Sequence, residues 1–514
     1  MEGIKKRIFY IFLALHVIFW TLLQLLRNAI SIDSMEAIQW GELLSFGTNK
    51  HPPLSGWLMA GFYNLLGKHE ILIYLLGQLC LLVGFIFVYK LAKFFMTKEK
   101  AFCATMVLEF CFYYTYGIFI DNYNCNIVLM GLIPAITYYF YKAVNNNKIK
   151  NWILFGILSG ITFLTKYQIA FVFMGMFLYL MFANREQFKK KGMYLAILTG
   201  LVAILPHILW LYQNDFFSFA YMIERTDSET HNMPFLLAKL GHLTYPIKFI
   251  LDQILAILPC FVVYIFLMFQ SGKDLSLHAS AKTKFIMNFG NLLSEKVDLK
   301  NKNSIFLLCT GIIPILLLGF MGVITGSRVP GIWGSAMVSM AGILIFYFLP
   351  IKFNKDSYTY FAKWCYFGLF ASLITVGIFG ILQTKYFIAY PTGKTMTDFD
   401  KLWDEKTNNS PLKYVAGDIK HCFHFKFYHS DHPTVILETF GHKNPWVDHE
   451  DIIKSGAIVV GEDEADVIQR TKEAIILLPN DYKITPEKYT MSVCNKIGKC
   501  EENEFFYTII PPAK

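Results

Sequence analysis

Apolar runs long enough to cross a bilayer alternate along this chain with short polar or basic segments. A spanning helix needs roughly 20 mostly apolar residues. By that measure Ile8–Leu26, Ile71–Phe95, Phe102–Ile120, Ile127–Tyr141, Trp152–Thr165, Ile169–Phe182, Tyr194–Leu211, Pro246–Phe269, Ile305–Ile324, Trp333–Leu349 and Trp364–Leu382 predict 11 spans. Lys5, Lys6 and Arg7 precede the first run, the basic segment Lys90–Lys100 begins in the last residues of the second, and the stretches NNNKIK and FKKK and Ser271–Asn303 fall between runs. Basic loops of this kind stay in the cytoplasm. The N-terminus is therefore expected inside and, with an odd count, the C-terminus outside. The first run imitates a signal peptide, but it is longer than a signal core and no small-x-small cleavage site follows it, so a retained first helix is expected.

Two short runs, Trp152–Thr165 and Ile169–Phe182, flank Lys166. Read as an up-and-down pair they place Lys166 near the outer face and keep both flanking basic loops on one side. Read as one buried helix they place a charge at mid-depth, where it is costly unless paired.

After Gln383 the long apolar runs stop. Short β-rich runs at Leu412–Val415, Thr434–Leu437, Ala457–Val460 and Ala474–Leu478 alternate with helix-capable stretches at Asp448–Ser455 and Glu462–Lys472. The expected class is therefore mainly α: a polytopic transmembrane helical domain over residues 1–383, then a small α/β domain over 384–514, periplasmic if the topology holds.

Composition agrees. Charged residues make up 17% of the 514 and hydrophobic residues 55%, with a mean hydropathy of +0.41. A soluble chain carries about a quarter charged residues. The net charge of +9 reads as membrane topology, since its basic residues are dispersed between spans, and nucleic acid is not an expected partner. Most of the ten cysteines lie in or beside apolar runs. Cys494 and Cys500 could pair in an oxidising compartment, or both stay free.

Candidate chemistry starts in the polar stretch Ser31–Trp57, between the first two spans, which holds Asp33, Glu36, Lys50, His51 and the pair Pro52-Pro53. The predicted topology gathers on the same face Asp121, Lys166, Arg328 and a cluster from Asp215 through Glu224, Arg225 and Asp227 to Glu229, in a polar external segment that also holds His231 and His242. Joining a hydroxyl or phosphate oxygen to an activated sugar needs a carboxylate to accept the proton and cations to stabilise the departing phosphate. Asp33 is the candidate base, because a position just beyond a span would desolvate it and raise its pKa; the alternative is that it caps a helix starting near Ser34. Glu36 lies one helical turn away. Asp121 is a candidate to position the acceptor, or to share a divalent metal ion with Asp33, the one cofactor considered; a turn or cap role in DNYN is its alternative. Lys50, His51, Lys166 and Arg328 are candidate phosphate partners, against a structural role for His51 and a snorkelling role for Arg328.

These residues also carry a resemblance. The acid after the first span, KHPPLSGWL, the Asp-Asn pair after the third span, GILSGITFLTKY, SRVPGIWGSA, and the tail segments FYHSDHP and PWVDHEDIIKSGAIVV together resemble the GT-C membrane glycosyltransferases. The branch in question holds bacterial relatives of protein O-mannosyltransferases and of the lipid A aminoarabinose transferase. The resemblance implies a polyprenyl-phosphate-linked sugar donor reached through membrane lipids, a periplasmic active site in the bacterial inner membrane, and a lipid, glycan or protein acceptor. By motif it gives Asp33 and Asp121 the acidic roles and Lys50 the basic one. Relatives often have adjacent Asp-Glu at the first site, whereas here Ser34 follows Asp33. A flippase or transporter of lipid-linked sugars is the alternative, and a membrane scaffold is a third; the first expects charges at mid-membrane and repeated broken helices.

Overall fold

The computed structural model describes residues 2–221, 235–273, 297–351, 353, 356–437, 444, 447–479 and 481–513. Glu224, Arg225, Asp227, Glu229 and His231 lie outside the described residues. The helical part comprises α1 (Glu2–Leu23), α2 (Ile32–Leu43), α3 (Leu54–Leu66), α4 (Glu70–Ala92), α5 (Lys98–Met106), α6 (Tyr116–Asp121), α7 (Cys125–Asn146), α8 (Ile149–Phe163), α9 (Ala170–Ala183), α10 (Lys191–Gln213), α11 (Phe235–Lys273), α12 (Lys302–Leu307), α13 (Ile313–Thr325), α14 (Ala341–Phe348) and α15 (Ser357–Leu382). Among the described residues seven helical segments are long and apolar enough to cross a membrane. The protein is a multi-pass membrane protein.

The other four expected spans differ in kind. The third is broken: α5 gives way to short 3-10 turns over Val107–Phe110 and Phe112–Tyr114 before α6. Its Glu109, fully buried, accepts from Trp20 Nε1 at 3.0 Å and pairs with His16 Nδ1 at 2.5 Å. A carboxylate inside an apolar run needs such partners. The tenth starts as 3-10 turns over Gly331–Gly334 and Met337–Met340 and becomes α-helical only at α14. The fifth and sixth are the separate helices α8 and α9, not one long helix, and Lys166 sits in the turn between them.

The segment between the first two spans is not a loop. Ser31 caps α2 by accepting from the Ser34 amide, and Pro53 starts α3, where a fixed φ suits a first turn. The helix-capping alternative for Asp33 was therefore one position class off: Ser31 is the cap and Asp33 lies in the first turn. α2 reads weakly in sequence because its buried face includes Ser34, Glu36 and Gln39.

Beyond α15, α16 (Thr392–Thr407), α17 (Ile419–Tyr428), α18 (His449–Ser455) and α19 (Glu464–Ala474) surround a sheet of β1 (Tyr414–Gly417), β2 (Thr434–Leu437), β3 (Ala457–Gly461), β4 (Glu487–Cys494) and β5 (Cys500–Ile510). The order is β2-β1-β3-β5-β4, parallel on the β2-β1-β3 side and antiparallel through β5 and β4. The run Ala474–Leu478, expected as a strand, instead ends α19 and turns, with Ile475 and Leu478 covering a side of the sheet. The last pair of strands escaped the sequence reading because only alternate β4 residues are buried. Cys494 and Cys500 form a disulfide across the β4–β5 turn.

Among the described residues three apolar cores result. One fills the helical bundle; a second is shared, joining Met35, Ile38, Tyr63, Tyr74 and Val128 of the helical part with Phe399, Phe423, Val435 and Phe505 around the sheet; a third, with Ile436, Ile452, Val459 and Ile475, covers the sheet's other side. Burial of that shared core, at about 25 cal/mol per Å² of apolar surface, fixes the sheet against α2.

Candidate active site

The site is built where the first turn of α2 meets the end of α6. At the C-terminus of α6 the chain makes a tight turn: Asn122 has φ 54° and ψ −68°, and the Tyr123 amide donates to the Asp121 carbonyl at 2.6 Å. This is the uncommon γ-turn, a strained arrangement that persists only where its surroundings hold it. The surroundings are α2's cap. Ser31 N donates to Asn122 Oδ1 at 2.7 Å, Ser31 Oγ donates to the Asp121 carbonyl at 2.5 Å, and Ser34 Oγ donates to the Tyr123 carbonyl at 2.9 Å. Gly77 of α4 lets the turn approach, since a Cβ there would stand 2.1 Å from the Asn122 carbonyl oxygen. Ser34, which replaces the second acid expected from relatives, thus joins the two acidic loops.

Asn124 caps α7 and ties the acids together. Its Oδ1 accepts from Asn126 N and Ile127 N, its Nδ2 donates to Asp33 Oδ2 at 3.2 Å, and it stands near enough to Asp121 to favour that carboxyl's charged form. Burial, with the neighbouring Asp33 charge second, pushes the Asp121 carboxyl up to about 7, against opposing pulls from Arg27, Asn124 and Lys166. Asp33 itself is exposed. The desolvation expected for Asp33 falls on Asp121 instead, because Asp33 sits on an outward first-turn position while Asp121 ends a helix inside the bundle.

Two cations complete the cluster. Lys50 Nζ lies 2.5 Å from Glu36 Oε1, with both side chains largely buried, and 5.9 Å from the centre of the Tyr221 ring. Burial alone would depress the Lys50 ammonium; the Glu36 carboxylate, Tyr221 and Asp33 more than reverse that and keep it protonated. Lys166, buried, donates to Asn126 Oδ1 at 3.0 Å and lies 4.8 Å from the centre of the Trp333 ring. Leu54 N donates to the Leu164 carbonyl at 2.8 Å, bringing the Lys50 loop and the Lys166 turn side by side.

The structure thus brings together Asp33, Glu36, Lys50, Asp121 and Lys166. His51 serves the turn: its amide donates to Thr48 Oγ1 at 2.9 Å, its carbonyl accepts from that hydroxyl at 2.8 Å, and its ring packs edge-on to Trp40. Arg328 is exposed on the loop that leads from α13 to Trp333. Asp215 lies just beyond α10, with a left-handed φ of 51°. The sequence reading missed Ser31, Ser34, Asn124, Asn126, Tyr221 and Trp333. Ser31 and Ser34 sit within the stretch Ser31–Trp57, and Asn124 and Trp333 within the motifs DNYN and SRVPGIWGSA, all singled out for other residues; Asn126 and Tyr221 leave no local signal.

The sequence profile of the dolichyl-phosphate-mannose-protein mannosyltransferase family matches residues 50–210, which include Lys50, Asp121 and Lys166. The lipid A galacturonosyltransferase RgtD of Rhizobium johnstonii is 23% identical over 191 residues, an alignment spanning 36% of this chain and 39% of that protein. The crystal structure of ArnT from Cupriavidus metallidurans bound to undecaprenyl phosphate matches 97% of both chains, with a TM-score of 0.63 at 12% identity. This chain has the fold of that ArnT structure. Because the ArnT match runs over nearly the whole of both chains, the C-terminal sheet belongs to that likeness along with the helical bundle.

Proposed function

We propose that the chain is a membrane glycosyltransferase that moves a sugar from a polyprenyl-phosphate carrier to a lipid, glycan or protein acceptor. The observation that carries the proposal is the pairing, across Asn124, of an exposed Asp33 and a desolvated Asp121, with the buried cations Lys50 and Lys166 beside them. An acceptor oxygen attacks the sugar's anomeric carbon, its proton passes to the Asp33 carboxylate, and the bond to the carrier phosphate breaks with its electron pair left on phosphate oxygen. Asp121, with a carboxyl near neutrality, positions the acceptor. Lys50 and Lys166 stabilise the phosphate as charge builds on it, in a site dry enough for that to count. Glu36 holds Lys50, and Arg328, on the exposed loop, meets the carrier phosphate from the outside. His51 fixes the turn that presents Lys50.

The reading carries the rest of the topology with it: residues 1–383 as the transmembrane catalytic domain, 384–514 as a periplasmic domain, the N-terminus cytoplasmic and the bacterial inner membrane as location. Asp33 and Asp121 are the pair we assign to any divalent ion. Among the described residues no group of three His, Cys, Asp or Glu side chains stands close enough to hold one, so the steps above use the protein's own groups. The mannosyltransferase profile and the galacturonosyltransferase alignment both favour transfer over transport. The test is mass spectrometry of the cell's lipid A and glycoconjugates with and without the protein. Loss of one sugar-bearing species on deletion supports transfer; an unchanged glycan profile with lipid-linked sugar accumulating on one leaflet overturns it.

A further inference from the structure

α2 has two working faces. Asp33, Glu36 and Trp40, at spacings of three and four, face the site: Asp33 meets Asn124, Glu36 meets Lys50, and Trp40 Nε1 donates to Asn49 Oδ1 at 3.2 Å. Gln39 and Glu42 turn to the C-terminal domain, Gln39 against the sheet and the exposed Glu42 beside α17 and within 4.0 Å of Lys68. Gln39 Nε2 donates to the Val435 carbonyl at 2.9 Å and Gln39 Oε1 accepts from the Val435 amide at 2.8 Å. Val435 belongs to β2, the edge strand, so this side-chain amide takes the place a neighbouring strand would fill, offering one donor and one acceptor as a peptide does. Gln39 is 2% exposed, so losing it would leave a buried amide and carbonyl unsatisfied. One turn on, Glu42 Oε2 lies 2.5 Å from Lys426 Nζ on α17, and Lys426 is itself held by the His432 carbonyl at 3.2 Å. At the start of the helix, Tyr428 Oη accepts from Ile30 N at 2.8 Å and donates to Glu70 at 2.5 Å.

We infer that the edge of the C-terminal sheet is a positioning clamp for α2, with Gln39 and the Glu42–Lys426 pair setting the orientation from which Asp33 and Glu36 work. The sheet contributes no group to the reacting atoms; it holds the helix that does. The inference rests on the transferase reading for its consequence in rate, and on α2 alone for its consequence in structure. A displacement of about 1 Å at a reacting group costs on the order of a hundredfold in rate, so a loosened clamp acts on kcat.

The experiment uses the full chain in lipid nanodiscs and reads transfer from a lipid-linked sugar together with amide hydrogen exchange over residues 32–43. Gln39→Ala is expected to lower kcat at least tenfold, leave the donor KM within about twofold, and speed exchange in α2 while α7 exchanges as in the wild type. Glu42→Lys and Lys426→Glu each lower kcat, and the double charge swap restores most of it; where Gln39→Ala fails to fold, the swap series carries the test. Unchanged α2 exchange in Gln39→Ala and in both single swaps overturns the clamp. Faster exchange with unchanged kcat overturns its role in positioning. If the wild type transfers no sugar, the transferase reading fails, and exchange in α2 still decides the clamp.

Discussion

The Lys50–Glu36 pair is where the electrostatics of the site make their sharpest demand. Its atoms stand 2.5 Å apart with side-chain exposures of 15% and 5%, so solvent screens little of their attraction. Burial works against the Lys50 charge, and Glu36 first, then Tyr221 and Asp33, more than reverse that, so the Lys50 charge leans on Glu36. Removing one partner of a buried pair strands the other and costs about 3 to 5 kcal/mol; removing both leaves no stranded charge. Glu36→Gln and Lys50→Met are each expected to cost about 3 kcal/mol or more in unfolding free energy. The double variant should cost less than their sum by about 1 to 3 kcal/mol, the range of coupling between contacting charges. Denaturant titrations of the four proteins in mixed micelles, followed by tryptophan fluorescence, measure the cycle. Additivity within about 0.5 kcal/mol would show that the two charges do not sustain one another and would remove the reason for reading Lys50 as a permanently charged phosphate partner.

Three further outcomes follow from neighbouring groups. The Asp121 carboxyl, raised from 3.8 to about 7, adds stability that is complete below the unfolded value and lost as pH rises through about 7, worth about 2 to 4 kcal/mol at 1.36 kcal/mol per unit after allowance for its half-burial. Unfolding titrations across that range should show the loss in the wild type and not in Asp121→Asn. In the C-terminal domain, burial depresses the His421 imidazole to about 4 and the His424 imidazole well below its usual value. Their contribution is present above about 6.5 and lost as pH falls toward 4, about 3 kcal/mol from His421 alone, so amide exchange in α17 should accelerate on acidification. Finally, Trp333→Ala removes the ring 4.8 Å from Lys166, a contact worth about 1 to 2 kcal/mol when desolvated, and should raise the donor KM by about 5- to 30-fold, with Trp333→Phe retaining part of the effect.

What could be read from the chain follows from physical period and length. α1, α4, α7, α10, α11, α13 and α15 were legible because an apolar run near bilayer length has few other uses. The broken third and tenth spans were not, since their breaks lie in apolar sequence and depend on side chains met far along the chain, such as Glu109 with His16 and Trp20. The acids at Asp33 and Asp121 stood out as polar residues between apolar runs. Which one is desolvated did not, because that depends on the γ-turn at Asn122 and on the serines that hold it. The parallel strands β1 to β3 announced themselves as short apolar runs, whereas half-exposed β4 did not. The turn-holding role of His51 is local, resting on Thr48 three residues before it, and was among the alternatives the sequence offered; the exposure of Arg328 depends on tertiary surroundings that local sequence does not encode.

The most direct measurement of the central claim is single-turnover transfer by the purified chain in nanodiscs, supplied with a radiolabelled polyprenyl-phosphate sugar and the acceptor that the glycoconjugate comparison identifies. The account predicts a labelled acceptor and free polyprenyl phosphate with the wild type, and a loss of product of at least a hundredfold with Asp33→Asn at unchanged donor binding. Product formed by Asp33→Asn at the wild-type rate would contradict the assignment of the base.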